Sequence, residues 1–492
     1  MTRATLGSRI DRSISSENCD RVDTRFDHVM DGSTVPGPGQ HRLGPPRSAS
    51  GAVRPRLPKG IVLDFRIPEA LQDLLDELDE FIEREIKPLE NADDNIRFFD
   101  HRREFARTDW DNGGVPSEDW EALLAEAKRR ADAAGYYRAQ LPKHLGGRGL
   151  SNLDMAVIRD NFAAKGLGLH CDLQNEHMII GNNVGLMLLT NYGSDAQIAE
   201  WKEKMGAGQA GFAFGITEPD HGSDATHMET TATKTDNGWV INGEKMWNSG
   251  VHKASRDIVF ARTHGEPGDA EGITAFLVPL DAPGVDIAEY VWTFNMPTDH
   301  AHVRFQNVEV DESQIFGEFG RGLQIVQHFF NENRIRQAAS SLGAAQYCID
   351  QSVQYAKERK PFGKPLSSNQ AIQFPLVDLQ ARAAMLRSFI RETAWLMDQD
   401  GAFTVSDRIS IANYQGNRLA CDAADQAMQV HGGLGYSRKK PFEHIYRHHR
   451  RYRITEGSDE IQMRRVAGYM FGFMSQKAPK GVNTDRYATQ QG

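Results

Sequence analysis

Cysteine is scarce in this chain. Four residues, Cys19, Cys171, Cys348 and Cys421, are scattered over 492 positions, and no two form a C-x-x-C pair. That spacing excludes a disulfide framework and a thiolate zinc site. It fits a reducing compartment, cytoplasmic or, for a eukaryotic source, the mitochondrial matrix. Long apolar runs are missing too: none approaches the roughly 20 residues of a membrane helix. Nor is positive charge in excess. Lys and Arg number 57 against 67 Asp and Glu, a net charge of −10, which argues against a nucleic-acid binder. Metal-ligand spacing is also lacking. His448 and His449 adjoin and would splay on a helix, and His300 and His302 share a strand face with no third ligand.

Apolar periodicity divides the rest. Residues 1–58, rich in Ser, Gly, Pro and Arg, read as a disordered extension. Acidic residues such as Asp11, Glu17 and Asp20 speak against a mitochondrial presequence there. From Pro68, Leu71, Leu74, Leu75, Leu78, Phe81 and Ile82 recur at helical spacing. Further helical pattern makes 59–210 a helical domain, with 94–116 as an excursion that could shape a pocket mouth or an interface, a surface loop being the simplest reading. From Gly211 the period falls to two, and Asp236-Asn237-Gly238 marks a hairpin, so 211–320 reads as a β domain. Four long helical runs, about 322–359, 369–399, 404–430 and 441–472, predict an antiparallel four-helix bundle over 321–475, and 476–492 is a tail. The fold class is α+β.

Gly206-Ala207-Gly208-Gln209-Ala210-Gly211 has the letters of a dinucleotide loop. Its context is helix then strand, the reverse of what that loop needs, which rejects a nicotinamide reading. Phe214 to Asp224 is a strand running into a loop with Thr217-Glu218-Pro219 and Gly222-Ser223-Asp224. Hydroxyls and free N–H groups there can meet a heterocycle edge or a phosphate. Taken alone it reads better as an ordinary surface turn. Lys245-Met246-Trp247-Asn248-Ser249 puts a flat aromatic at a strand end, where it can wall a ring or simply fill a core.

Other runs complete the pattern: Glu358-Arg359-Lys360-Pro361-Phe362-Gly363-Lys364-Pro365, Asn369 to Phe374, Gln429-Val430-His431-Gly432-Gly433-Leu434-Gly435-Tyr436, and Glu456-Gly457-Ser458-Asp459-Glu460. Together, in this order, they resemble the acyl-CoA dehydrogenase family over about residues 65 to 472. The resemblance implies an N-terminal helical domain, a middle β domain and a C-terminal four-helix bundle. It implies FAD, an acyl-CoA substrate, an electron-transfer flavoprotein or similar acceptor, a homodimer or homotetramer, and a place in fatty-acid β-oxidation. Glu456 would take the α-proton while the β-hydride goes to flavin N5. Phe214, Ile216, Thr217, Trp247 and Ser249 would surround the flavin ring, with Ser458 a flavin contact. Gly222 and Ser223 would meet the cofactor, and Ser223 also the acyl-CoA phosphates and pantetheine. Arg359, Phe362, Gln429, Gly432 and Gly433 would reach the FAD of a neighbouring subunit. Arg334 and Gly457 would line the substrate pocket.

A few relatives place the base on the first helix of the bundle. The matching position here is at or beside Asn333, which cannot take a proton, and Glu332 faces about 100° away. The basic run Arg447 to Arg453 reads as a subunit contact, a CoA-phosphate contact or a solvated face. Two other readings stand beside the dehydrogenase: an acyl-CoA oxidase or flavin monooxygenase on the same fold, and a flavin-free homologue acting as a binding subunit.

Overall fold

The computed structural model describes residues 66–171, 179–181 and 183–474. The expected 1–58 extension and the 476–492 tail lie outside the described residues. Five helices of nine or more residues open the described chain: α1 (Glu69–Phe81), α2 (Glu118–Ala133), α3 (Asn152–Ala164), α4 (Val184–Tyr192) and α5 (Asp195–Gly206). The apolar stripe of α1 is buried as its spacing requires. Capping boxes at Ser151–Asp154 and Ser194–Gln197 start α3 and α5 by satisfying free N–H groups.

The middle region is an eight-stranded sheet: β1 (Phe212–Gly215), β2 (Thr231–Thr235), β3 (Gly238–Ser249), β4 (Arg256–Arg262), β5 (Ile273–Pro279), β6 (Val285–Tyr290), β7 (His300–Val310) and β8 (Ile315–Phe316). Its order is β8-β5-β4-β2-β3-β7-β6, with β1 paired parallel to β4. Turn residues Asp236 and Asn237 close the β2–β3 hairpin. Strands β6 and β8 escape the periodicity reading, β8 because two residues carry no period and β6 because its side chains stay largely outside the core.

Three long helices follow: α6 (Gly322–Glu358), α7 (Gln370–Asp400) and α8 (Ser406–His431). Consecutive members run antiparallel, so α6 and α8 run parallel and pair along their length. Asn413 Nδ2 donates to the Arg334 carbonyl at 2.9 Å, and Tyr355 stacks on His431 at 4.2 Å. Alanines 338, 339, 345, 412, 423 and 427 let these helices approach closely. The fourth run is not one helix. It breaks into α9 (Phe442–Arg451) and α10 (Asp459–Met470), because Glu456 and Gly457 have φ of +51° and +91°. Ser458 then starts α10 by accepting from Ile461 N.

The 94–116 segment lies largely at the surface but is anchored to the other two regions. Glu104 reaches across to α9, where Arg447 Nη2 donates to it at 2.9 Å and His444 Nδ1 lies at 3.2 Å. Trp292 Nε1 donates to the Gly113 carbonyl at 2.8 Å, and Thr298 N donates to Gly114 at 2.9 Å. The segment thus fastens all three regions together. The basic run on α9 turns inward as well: His448 and His449 are buried, His448 against Asn295 and His449 against Ser341.

Candidate active site

Glu456 sits in the break between α9 and α10, and α6 presents a face of amides to it. Asn333 Nδ2 donates to Oε1 at 3.2 Å, and Gln337 Nε2 donates to Oε2 at 2.6 Å. These residues lie one turn apart, so they share a face. Arg334 grips the backbone instead: its Nε donates to the Glu456 carbonyl at 3.0 Å, and its Nη2 donates to the same oxygen. That guanidinium is buried, not the solvated charge that its type alone would suggest. Burial and the charge of Arg465 loosen its hold on the proton, and Glu456 opposes them. Gly457 is needed here: a Cβ would lie 3.0 Å from Arg334 Nη2, in a left-handed conformation.

Behind the amides lies a second layer. Asn413 Nδ2 donates to Gln337 Oε1 at 3.1 Å, and Gln462 Nε2 donates to Asn413 Oδ1 at 2.8 Å and to the Gly457 carbonyl at 2.9 Å. Asn417 and Ser341 extend the chain of bonds to His449. The Gln337 amide is thereby locked in one orientation, and it orients the carboxylate oxygen it holds. Sequence reading missed Gln337, Asn413 and Gln462. Gln337 alone had a usable signal, its i+4 spacing from Asn333.

The ring-cofactor candidates come together at the sheet edge. Met246 N donates to the Thr217 carbonyl at 2.8 Å, tying the loop after β1 to the end of β3. A buried ion pair locks the same two motifs: Lys245 Nζ to Glu218 Oε1 at 2.7 Å. Burial pushes the Lys245 ammonium down to about 8 against the pull of Glu218. Burial raises the Glu218 carboxyl, but Lys245 outweighs it and the net direction is down. Beneath them Asp257, wholly buried beside Asn248, is pushed up to about 7 by desolvation.

Trp247, at φ +68°, swings its ring off the strand and leaves it 46% exposed. Ser249 Oγ pairs with His300 Nδ1 at 2.8 Å. Phe214 stacks on Phe329 at 4.1 Å, one helical turn before Asn333, which joins this edge to the Glu456 pocket. A half-buried Thr217, buried Ile216 and an open indole plane fit a flat tricyclic ring such as that of FAD. Gly222 and Ser223 are exposed on the loop, with open space where a Gly222 Cβ would point, which suits close approach by a phosphate. Ser458 Oγ accepts the helix-cap bond from Ile461 N at 3.4 Å, which leaves its O–H as a donor.

The remaining candidates lie elsewhere. Arg359, Phe362, Gln429, Gly432 and Gly433 gather at the far end of the bundle, all exposed. Arg359 is roughly 40 Å along α6 from Asn333. Among described residues, His101, Glu104 and His444 place possible metal ligands within 4.8 Å of one another. Arg447 and Arg438 already occupy that carboxylate, and two guanidiniums disfavour an added cation.

Three family models cover the chain in the same order: the acyl-CoA dehydrogenase N-terminal domain over residues 93–209, the middle domain over 213–308 and the C-terminal domain over 320–471. The chain belongs to the acyl-CoA dehydrogenase family. The human mitochondrial short-chain specific acyl-CoA dehydrogenase is 29% identical over 412 residues, 83% of this chain and 92% of that one. A subunit of the caffeyl-CoA reductase–Etf complex of Acetobacterium woodii is 28% identical over 337 residues, 68% of this chain and 87% of that one. The butyryl-CoA dehydrogenase structure from Megasphaera elsdenii superposes with a TM-score of 0.68 at 26% identity, covering 83% of this chain and all of that one. The acyl-CoA dehydrogenase fold thus holds across helical, β and helical regions. Among the described residues no helix is long and apolar enough to cross a membrane.

Proposed function

We propose that this chain catalyses FAD-dependent α,β-dehydrogenation of an acyl-CoA thioester, with Glu456 accepting the α-proton. The observation that carries this reading is the clamp on Glu456. Two amides hold its carboxylate and a guanidinium holds its carbonyl, while the alternative position is the non-ionisable Asn333. FAD, when bound, supplies the hydride acceptor; Phe214, Ile216, Thr217, Trp247 and Ser249 would hold its ring, and Gly222 and Ser223 its phosphate side. The chain's own part is positional. Asn333 and Gln337 aim the carboxylate at one point, Arg334 fixes the loop that carries it, and the buried amide layer keeps water out.

The far cluster supports assembly. Arg359 stands roughly 40 Å along α6 from Asn333, the end of the helix against which the Phe214–Thr217 edge packs through Phe329. Arg359, Phe362, Gln429, Gly432 and Gly433 therefore read as contacts to another copy's FAD, in a homodimer or homotetramer. The exposed apolar side chains Phe374, Val377 and Met385 on α7 favour the same reading. The Etf-complex relative supports an electron-transfer flavoprotein as electron acceptor.

The test is anaerobic mixing of the purified yellow protein with a panel of acyl-CoA thioesters. The expected result is bleaching of the flavin, and re-oxidation by an electron-transfer flavoprotein without peroxide release in air. Rapid peroxide formation would assign an oxidase instead. Protein that stays colourless with added FAD would sink the enzymatic reading.

A further inference from the structure

Beneath the ring-cofactor candidates the sheet encloses three ionisable side chains whose charges do not balance. Lys245, Glu218 and Asp257 are exposed by 0%, 4% and 0%. One ammonium faces two carboxyl groups, and Glu218 takes it. Lys245 Nζ lies 2.7 Å from Glu218 Oε1, and the same carboxylate accepts from the backbone N–H groups of Glu229 and Thr230. Asp257 is given one bond, from Asn248 Nδ2 to its Oδ2. Its Oδ1 and Asn248 Oδ1 have no hydrogen-bond partner among the described residues. The neighbouring strands set Val278 of β5 and Ala213 of β1 opposite Asp257, so neither supplies a charge there. Arg256 and Arg262, on its own strand, turn instead to Trp201 and to a loop carbonyl.

An ionised Asp257 would be a buried anion without a cation, beside two acceptors without a donor. One proton removes both faults. A protonated carboxyl offers an O–H donor and a carbonyl acceptor, and a primary amide offers the same pair. With Asn248 Nδ2 donating to Oδ2, a proton on Oδ1 can donate to Asn248 Oδ1 and close a ring of two bonds. Desolvation works in that direction and pushes the carboxyl up to about 7, against the pull of Asn248 and Lys245. The pair also stands where the ring site is assembled. Asn248 lies between Trp247 and Ser249 at the end of β3. A Cβ on Gly215 would lie 2.8 Å from Asn248 Nδ2 and 3.0 Å from Asp257 Oδ2, so β1, which leads into Ile216 and Thr217, packs directly on the pair. Resting on the flavin reading above, we propose that Asp257 is a positioning residue: it holds a proton, pairs with Asn248 as acid to amide, and so sets the two strand ends that flank the flavin ring.

The test is Asp257→Asn, which keeps one donor and one acceptor in the ring and needs no proton. A carboxyl that is neutral in the fold and ionised in the unfolded chain loses stability as pH rises from about 4 to about 7. The holoenzyme Tm of the variant, relative to wild type, should therefore climb by about 3 °C between about pH 5 and pH 7.5. Buried His170, His444 and His449 titrate in both proteins and drop out of the difference. FAD covering the exposed Trp247 ring would dry this corner further and tighten the hold on the proton. Wild-type affinity for FAD should then fall about tenfold from about pH 6 to pH 8, and that of the variant stay level. The infrared carbonyl band of a protonated carboxylic acid should be present in wild type and missing from the variant. Asn248→Leu, which removes the ring partner, should keep that band and shift it to higher frequency, and it serves as well if Asp257→Asn does not fold. A Tm difference that is flat or of opposite sign, no such band, or a wild-type FAD affinity that ignores pH would overturn the proposal. Protein that takes up no FAD at any pH would sink the flavin reading and the positioning role with it; the band and the Tm difference, read on the flavin-free chain, would still decide the acid–amide pair.

Discussion

Two buried or half-buried carboxylates in this molecule are held in opposite ways. Glu104, in the segment that bridges to α9, meets Arg447 at 2.9 Å, Arg438 at 3.1 Å and His444 at 3.2 Å. Glu456 meets only the neutral amides of Asn333 and Gln337. A guanidinium fixes a carboxylate and cancels its charge; an amide fixes it and cancels nothing. Burial alone would raise the Glu104 carboxyl. The bond with His444 and the charge of Arg447 outweigh burial and hold it below the ordinary range. Glu104 is therefore a fastening, and Glu456 is a group that is aimed but left chemically open.

The sharpest break in this contrast is Glu456→Gln. It should bind FAD and fold normally, yet slow flavin bleaching by at least about 1,000-fold in stopped-flow absorbance. Glu104→Gln should do the reverse. Leaving half-buried Arg447 with Glu443 as its remaining anion costs about 3 kcal/mol of unfolding free energy, read from urea titration, while FAD-normalised activity stays near wild type.

Next comes pH. Burial lowers the His444 imidazole to about 4, so its neutral form is the one that the fold favours. The unfolded group titrates near 6.5. Its contribution is complete above that value and drains away as pH falls toward about 4. His444 should contribute about 3 kcal/mol at most to the loss of wild-type stability across this window, beside the contributions of buried His170 and His449, and His444→Gln should make the drop smaller. A wild-type profile already flat from 7 to 4 would refute the assignment. The smallest effect expected is that of Gln337→Leu. With one of the two aiming bonds gone, the bleaching rate should fall about tenfold with little change in substrate affinity.

Local chemistry was readable and distant pairing was not. The Thr217-Glu218-Pro219 and Lys245-Met246-Trp247 runs, and Glu456 with its following glycine, announced themselves as motifs because each is a short, continuous segment. The break in the fourth helix also had its signal. Ser458 followed by Asp459 and Glu460 is a helix start, and periodicity on either side hid it. The bond between His444 and Glu104 spans 340 positions, and no property of residues 94–116 foretells it. The same holds for Asn413 and Gln462. Their polarity looks like surface until the helices are packed, and only then does it turn out to face Gln337 and Gly457.

The length of α6 has an evolutionary consequence. Its 37 residues join the Asn333 end to the Arg359 end without a break. Inserting one residue between them would rotate one end by about 100° and shift it by about 1.5 Å relative to the other. Seven would nearly restore the phase and misplace the end by roughly 10 Å. No short insertion or deletion leaves both ends in place. Along this rod a side chain away from Glu456 can be exchanged with the two ends left in register, whereas a change in residue count cannot.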